Sequence, residues 1–265
     1  MNQHQNGHDH HHEEHHDSER DGHEVTLAAR GDYGTVVTEF LHRHALVGIV
    51  GFSGGADDKL PGLPEGDPIQ EEFKEFRKHL EERILRDALG TLRGHHIAVL
   101  TGGTRFGVPN TATRVAKEMG FKTIGVYPLT GRKYALGGDL LDLGLCVEPL
   151  MGESHWGDEC PVWVSLCQGV VVIGGGAGTL SECAHIQKIN EGLVKYGRTP
   201  KIIVPIHGTG GVADVLPHIW TKPEIKRVSM PSDRVHTGSE AAFLLMERLG
   251  LHRHNHSEDG IHCHD

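Results

Sequence analysis

The chain has 265 residues, 37% of them hydrophobic, and a formal net charge of −10. That is enough apolar material for a sizeable core. The acidic balance argues against a nucleic-acid or anionic-membrane binder, and no apolar run approaches the roughly 18 residues of a membrane span.

Residues 1–24, "MNQHQNGHDHHHEEHHDSERDGHE", carry eight histidines among acids and almost no apolar side chains. Such a segment cannot bury enough surface to offset its ordering entropy, so it is predicted to be disordered. Residues 251–265 repeat the theme, ending in "HRHNHSEDGIHCHD". Imidazoles beside carboxylates suit zinc, nickel or copper, with His10, His11, His12, His15 and His16 as the densest candidate ligands. The core calls for no cofactor. The N-terminus is too polar for a signal peptide, and five cysteines without zinc-like spacing read as reduced thiols, which together predict a cytoplasmic protein.

Residues 25–250 are predicted to form one domain, with no proline-rich or charged linker inside it. Short β-branched runs alternate with longer segments of helical period. A leading "EVTLAA" (24–29) suits an edge strand. Then come "HALVGIVGF" (44–52), "HIAVLT" (96–101), "KTIGVYP" (122–128), "LCVEP" (145–149), "GVVVI" (169–173), "KIIVPI" (201–206) and a short "DRVHT" (233–237). Between the second and third of these lies the clearest helix, 67–92, with Asp67 as N-cap, Pro68 at the first position and a buried stripe of Ile69, Phe73, Phe76, Leu80 and Ile84. Other helices are predicted near 109–119, 158–168, 179–195, 210–219 and 239–249. The alternation predicts an α/β fold: a doubly wound, mostly parallel sheet with helices on both faces.

Four of the strands end in glycine turns: "GFSGG" (51–55), "LTGGT" (100–104), "GGGAGT" (174–179) and "HGTGG" (207–211). In a parallel sheet these turns share one edge, where ligands bind at the switch in strand order. Glycine lets backbone N–H groups approach a ligand, and the following helix N-terminus favours an anion. The candidate ligand-binding residues are therefore Ser53, Gly54, Gly55, Thr101, Gly102, Gly103, Thr104, Arg105, Gly175, Gly176, Gly178, Thr179, Gly208, Thr209, Gly210 and Gly211. "GGGAGTLSE" fails as a dinucleotide fingerprint: from Gly174 the third glycine position is Thr179, and from Gly176 it is Ser181. No Gly-Lys-Ser/Thr follows, which excludes a Walker A loop.

With its glycines after a strand, Gly174–Glu182 resembles the PGGxGTxxE motif of the LOG-like families once taken for lysine decarboxylases, Gly174 standing where that motif has proline. "VGFSGGADD", "VLTGGTRFGVPN" and "HGTGGVADVL" resemble turns of the SLOG domain of TRPM channels and its prokaryotic relatives. The resemblance spans most of residues 25–250. It implies a Rossmann-like fold, a nucleotide or ADP-ribose-like ligand, and a homodimer or larger homo-oligomer. In enzymatic LOG members the equivalent of Glu182 is catalytic in hydrolysing the N-glycosidic bond of nucleoside 5′-monophosphates. Those enzymes also use an arginine ahead of the glycine motif. This chain has none between Lys133 and Lys188, and offers His155, Asp158 and Glu159 there instead. Three readings stand: a sensor or regulatory module, favoured by the missing arginine; a nucleotide phosphoribohydrolase using Glu182, favoured by the complete GxGTxxE core; and metal binding or buffering through the His-rich tails.

Overall fold

The computed structural model describes residues 23–27, 34–51, 62–64, 66–220, 222–230 and 234–251. The strands are β1 (His23–Leu27), β2 (Ala45–Gly51), β3 (Ile97–Thr101), β4 (Lys122–Pro128), β5 (Leu143–Val147), β6 (Gly169–Ile173) and β7 (Ile202–Pro205). The helices are α1 (Gly34–Arg43), α2 (Pro68–Leu92), α3 (Gly107–Glu118), α4 (Cys160–Leu166), α5 (Ala177–Lys195), α6 (Gly211–Val215), α7 (Pro223–Ser229) and α8 (Gly238–Leu249).

Seven strands form one sheet in the order β1-β5-β4-β3-β2-β6-β7, and every pairing among them is parallel. From β2 the chain steps outward through β3, β4 and β5, then returns to β6 on the other side of β2. The switch in strand order therefore lies between β2 and β6. Val47–Gly51 of β2 pair there with Gly169–Ile173 of β6, so both strands end side by side.

Successive side chains of each strand point to opposite faces. Leu46 and Val50 of β2 and Val170 and Val172 of β6 join a core with α1, α4, α5 and α6. Val47 and Ile49, with Val171 and Ile173, join the other core with α2, α3 and α8. Burial on both faces is why these strands read as unbroken apolar runs. Within the first core Gly48 leaves a gap that the Trp163 ring of α4 fills. A Cβ at Gly48 would lie 2.5 Å from Cη2 of that ring.

α2 starts as predicted, with the Asp67 carboxylate accepting from the Ile69 N–H at 2.9 Å and Pro68 at the first position. Its predicted stripe is only half buried. Ile84 is covered, but Ile69 is 57% and Phe76 63% exposed. The first residue of α8, Gly238, meets α2 at Ile84 and Ala88. The earlier turns of α2 stand beyond the start of α8, and the buried face continues instead through Leu85, Ala88, Leu89 and Leu92. "DRVHT" makes a single bridge, Val235 to Ile206, rather than a strand. Helices α1 and α7 have no counterpart among the predicted elements.

Candidate functional site: the cleft at the strand-order switch

At the ends of β2 and β6 the chain builds a cleft of about 520 Å³. Its lining comes from β2 (Ile49, Val50, Gly51), the β3 turn (Gly102, Thr104), Pro109, the segment before α4 (Trp156, Gly157, Glu159, Cys160) and the start of α5 (Gly176, Ala177, Gly178, Thr179, Ser181, Glu182). No lysine or arginine is among these residues.

The turn into α5 depends on glycine. Gly174 and Gly175 have φ of +61° and +105°, in the region that side chains rarely adopt. A Cβ at Gly175 would also lie 2.6 Å from Cβ of Thr179. This tight reversal aims the first turn of α5 at the cleft. Among the described residues no side chain caps that helix, whose N-cap is Gly176. Its leading N–H groups and partial positive charge therefore face the cleft, the arrangement that favours an anion. Thr179 is buried, and its hydroxyl donates to the Gly51 carbonyl at 3.2 Å. It ties the start of α5 to the end of β2 across the switch.

Glu182 follows three residues later, on the same side of α5. Its carboxyl is pushed up to about 8, chiefly by burial and secondly by the charge of Glu159. At neutral pH it is mostly a neutral acid, able to donate a hydrogen bond. Burial also raises Glu159, although the Gly157 N–H donates to its carboxylate at 2.8 Å and partly offsets this. The cleft thus holds two carboxyl groups that resist ionisation. Cys160 lies beside them. Its thiol is pushed up to about 11, mainly by burial, so it carries no thiolate at neutral pH. His185 Nδ1 and Ser181 Oγ both lie 3.8 Å from its sulfur.

The structure brings some predicted residues into this cleft and separates others. Gly102, Thr104, Gly176, Gly178, Thr179 and Glu182 line it together. Thr101 serves its own turn: its hydroxyl accepts from the Gly103 N–H at 3.1 Å and pairs with Thr113 at 3.0 Å. Gly103 is needed for packing, because a Cβ there would lie 2.6 Å from the Gly125 Cα. Arg105 is exposed, with its guanidinium 5.2 Å from the centre of the Tyr134 ring.

Gly208, Thr209, Gly210 and Gly211 line a different groove, opposite Phe73, Phe76 and Leu80. There the Asp214 carboxylate already accepts from the N–H groups of Gly208 (2.7 Å) and Gly210 (3.0 Å). Thr209 reaches back to the neighbouring turn, its hydroxyl accepting from the Gly174 N–H at 2.8 Å. Ser53, Gly54 and Gly55 lie outside the described residues, as do His10, His11, His12, His15 and His16. Among the described residues no group of three or more His, Cys, Asp or Glu is arranged to hold a metal ion. Among them, too, no helix is long and apolar enough to cross a membrane.

The cleft residues missing from the predicted set include Gly51 and Glu159. Gly51 ends β2 and is the acceptor for Thr179. Glu159 was visible only as an acid in the segment where an arginine was expected. Its position just ahead of Pro161, at the start of a helix, was the available signal.

Residues 81–204 match the model of the SLOG cluster4 family. That segment contains the end of α2, strands β3–β6, the turn at Gly174–Gly176 and Glu182. No curated protein matches the chain. Among solved structures, the molybdenum cofactor carrier protein of Chlamydomonas reinhardtii is 20% identical, with 78% of this chain and 99% of that one covered and a TM-score of 0.47. The molybdenum cofactor binding protein of Rippkaea orientalis is 19% identical, with 78% and 98% covered and a TM-score of 0.47. DNA processing protein A of Streptococcus pneumoniae is 17% identical, with 78% and 62% covered and a TM-score of 0.42.

Proposed function

We propose that the chain binds a nucleotide-derived small molecule in this cleft, of the ADP-ribose or nucleoside-phosphate class, as a sensor or regulatory module. The observation that carries this reading is the N-terminus of α5, which no side chain caps among the described residues, opening onto a cleft at the strand-order switch whose described lining holds no basic side chain. A phosphate would be held by backbone N–H groups. Glu182 lies just behind that turn and would donate from its neutral carboxyl to a sugar or phosphate oxygen. An ionised acid there would repel the phosphate, so its raised pKa suits the ligand.

The paired carboxyls favour a second reading. Glu159 and Glu182 share the cleft and both resist ionisation. A neutral acid can protonate a leaving base, and a second carboxyl can activate water or stabilise positive charge on the ribose. That chemistry would release a free base from a nucleoside 5′-monophosphate.

One set of measurements separates the two. Nucleoside monophosphates and ADP-ribose should raise the melting temperature of the full chain at pH 7, more than inorganic phosphate does. The absence of any shift overturns both readings. Chromatography of the same mixtures should show intact ligand for a sensor. Free base that appears with the wild type and vanishes with Glu182→Gln would establish the hydrolase instead.

A further inference from the structure

Trp156 is the tryptophan that the fold leaves outside its cores. Trp163 is fully buried, whereas Trp156 is 56% exposed and lines the cleft. Leaving so large an aromatic surface in water forgoes substantial hydrophobic stabilisation. Yet the ring is held firmly. A Cβ at Gly131 would come within 3.0 Å of its Cη2, so the indole lies directly against that backbone. Tyr134 stacks with it at 6.3 Å between centroids and 21° between planes. Tyr134 is itself fixed by Phe106, at 5.0 Å, and by the Arg105 guanidinium, at 5.2 Å.

The segment carrying the indole is pinned on both sides. The Ser154 hydroxyl accepts from the Thr130 N–H at 3.0 Å. Carboxylates then take the N–H groups of both chain neighbours: Asp158 that of His155 and Glu159 that of Gly157, each at 2.8 Å. An exposed aromatic ring held in one orientation offers stacking area without the entropy cost of ordering it on binding.

We infer that Trp156 is a stacking platform for a flat heterocycle, so that the cleft selects ligands carrying a nucleobase and not merely a sugar phosphate. This rests on the phosphate reading of the α5 turn given above. The base lies on the indole, while the phosphate reaches Gly176–Thr179 in the lining of the same cleft. Trp156 is then a positioning and specificity residue rather than a catalytic one.

The test uses the full chain and two probes, AMP and ribose 5-phosphate, followed by tryptophan fluorescence and calorimetry. AMP should quench emission and bind about tenfold more tightly than ribose 5-phosphate, the range expected for stacking of one base on an aromatic side chain. Trp156→Ala should abolish the quench and bring the two affinities together. Trp156→Phe should restore most of the preference. Equal affinity of the two probes for the wild type would overturn the inference while leaving the phosphate site standing. An unchanged AMP preference in Trp156→Ala would overturn it as well. If neither probe binds, the phosphate reading fails and this inference fails with it.

Discussion

The turns at Gly174–Gly176 and Gly208–Gly211 look alike in sequence. Both are glycine-rich, both follow a strand buried on both faces, and both lead into a helix. Their backbone N–H groups are used in opposite ways. At Gly208–Gly211 the chain supplies its own anion, because Asp214 fills the turn with a carboxylate. At Gly176 no side chain among the described residues caps the helix, and the turn faces a cleft. A glycine turn is thus available to a ligand only where the chain has not already satisfied it. Thr209 links the two, since its hydroxyl supports Gly174 from behind. The closed turn is a buttress for the open one.

Four measurements would break or sharpen that contrast. The largest effect is expected at Gly175. Alanine there combines a left-handed backbone with a methyl group 2.6 Å from Thr179. It should cost about 2–5 kcal/mol of stability. Gly208→Ala, equally left-handed but with open space around it, should cost about 1–2 kcal/mol. Urea denaturation of the two variants gives the answer, and equal losses would show that the two turns are equally constrained.

The second effect is one of pH. The folded-state pKa of Glu182, about 8, lies above its ordinary value of 4.5. The folded protein therefore holds this proton where the unfolded chain has lost it. The stability linked to it is complete below pH 4.5 and falls away as pH rises through 8. Glu182→Gln should remove that decline and gain about 1–4 kcal/mol on the wild type at pH 8.5 relative to pH 5. A wild-type slope that persists in the variant would mean that another group titrates.

Asp214→Ala should cost about 1–2 kcal/mol by leaving the N–H groups of Gly208 and Gly210 without their acceptor. Added sulfate should recover part of that loss in the variant and have less effect on the wild type. If sulfate treats both alike, the carboxylate is not standing in for an anion. The smallest effect is expected at Gly178, which has no positive φ and open space where a Cβ would go. Alanine there should stabilise α5 by about 0.5–1 kcal/mol. Paired with Gly175→Ala, it separates the glycine that shapes the turn from the one that merely lines the cleft.

The sheet was legible because β-branched runs such as "GVVVI" are dictated by burial on both faces, a demand that local sequence expresses directly. The start of α2 was legible for a similar reason, since the Asp67 cap and Pro68 act within one turn. The stripe on α2 was misjudged at Ile69 and Phe76, because periodicity says which side of a helix is apolar and not how far its partner helix extends. "DRVHT" reads as a strand by composition, but its described residues make a single bridge, Val235 to Ile206. In the cleft, Gly176, Gly178, Thr179 and Glu182 were legible because they form one contiguous motif. Asp214 was not, since it follows its turn on a helix and nothing in the spacing says that its carboxylate folds back. Glu159 and Trp156 were visible as residues, but only the fold brings their segment over the cleft.

The gap at Gly48 links the centre of the sheet to the cleft mechanically. The indole of Trp163 sits where a side chain on β2 would otherwise stand, so α4 rests against the backbone of the strand itself. The N-terminal end of that short helix carries Glu159 and Cys160 into the cleft. A methyl group at position 48 would displace the Trp163 ring, and with it the short helix whose first turn lines the cleft.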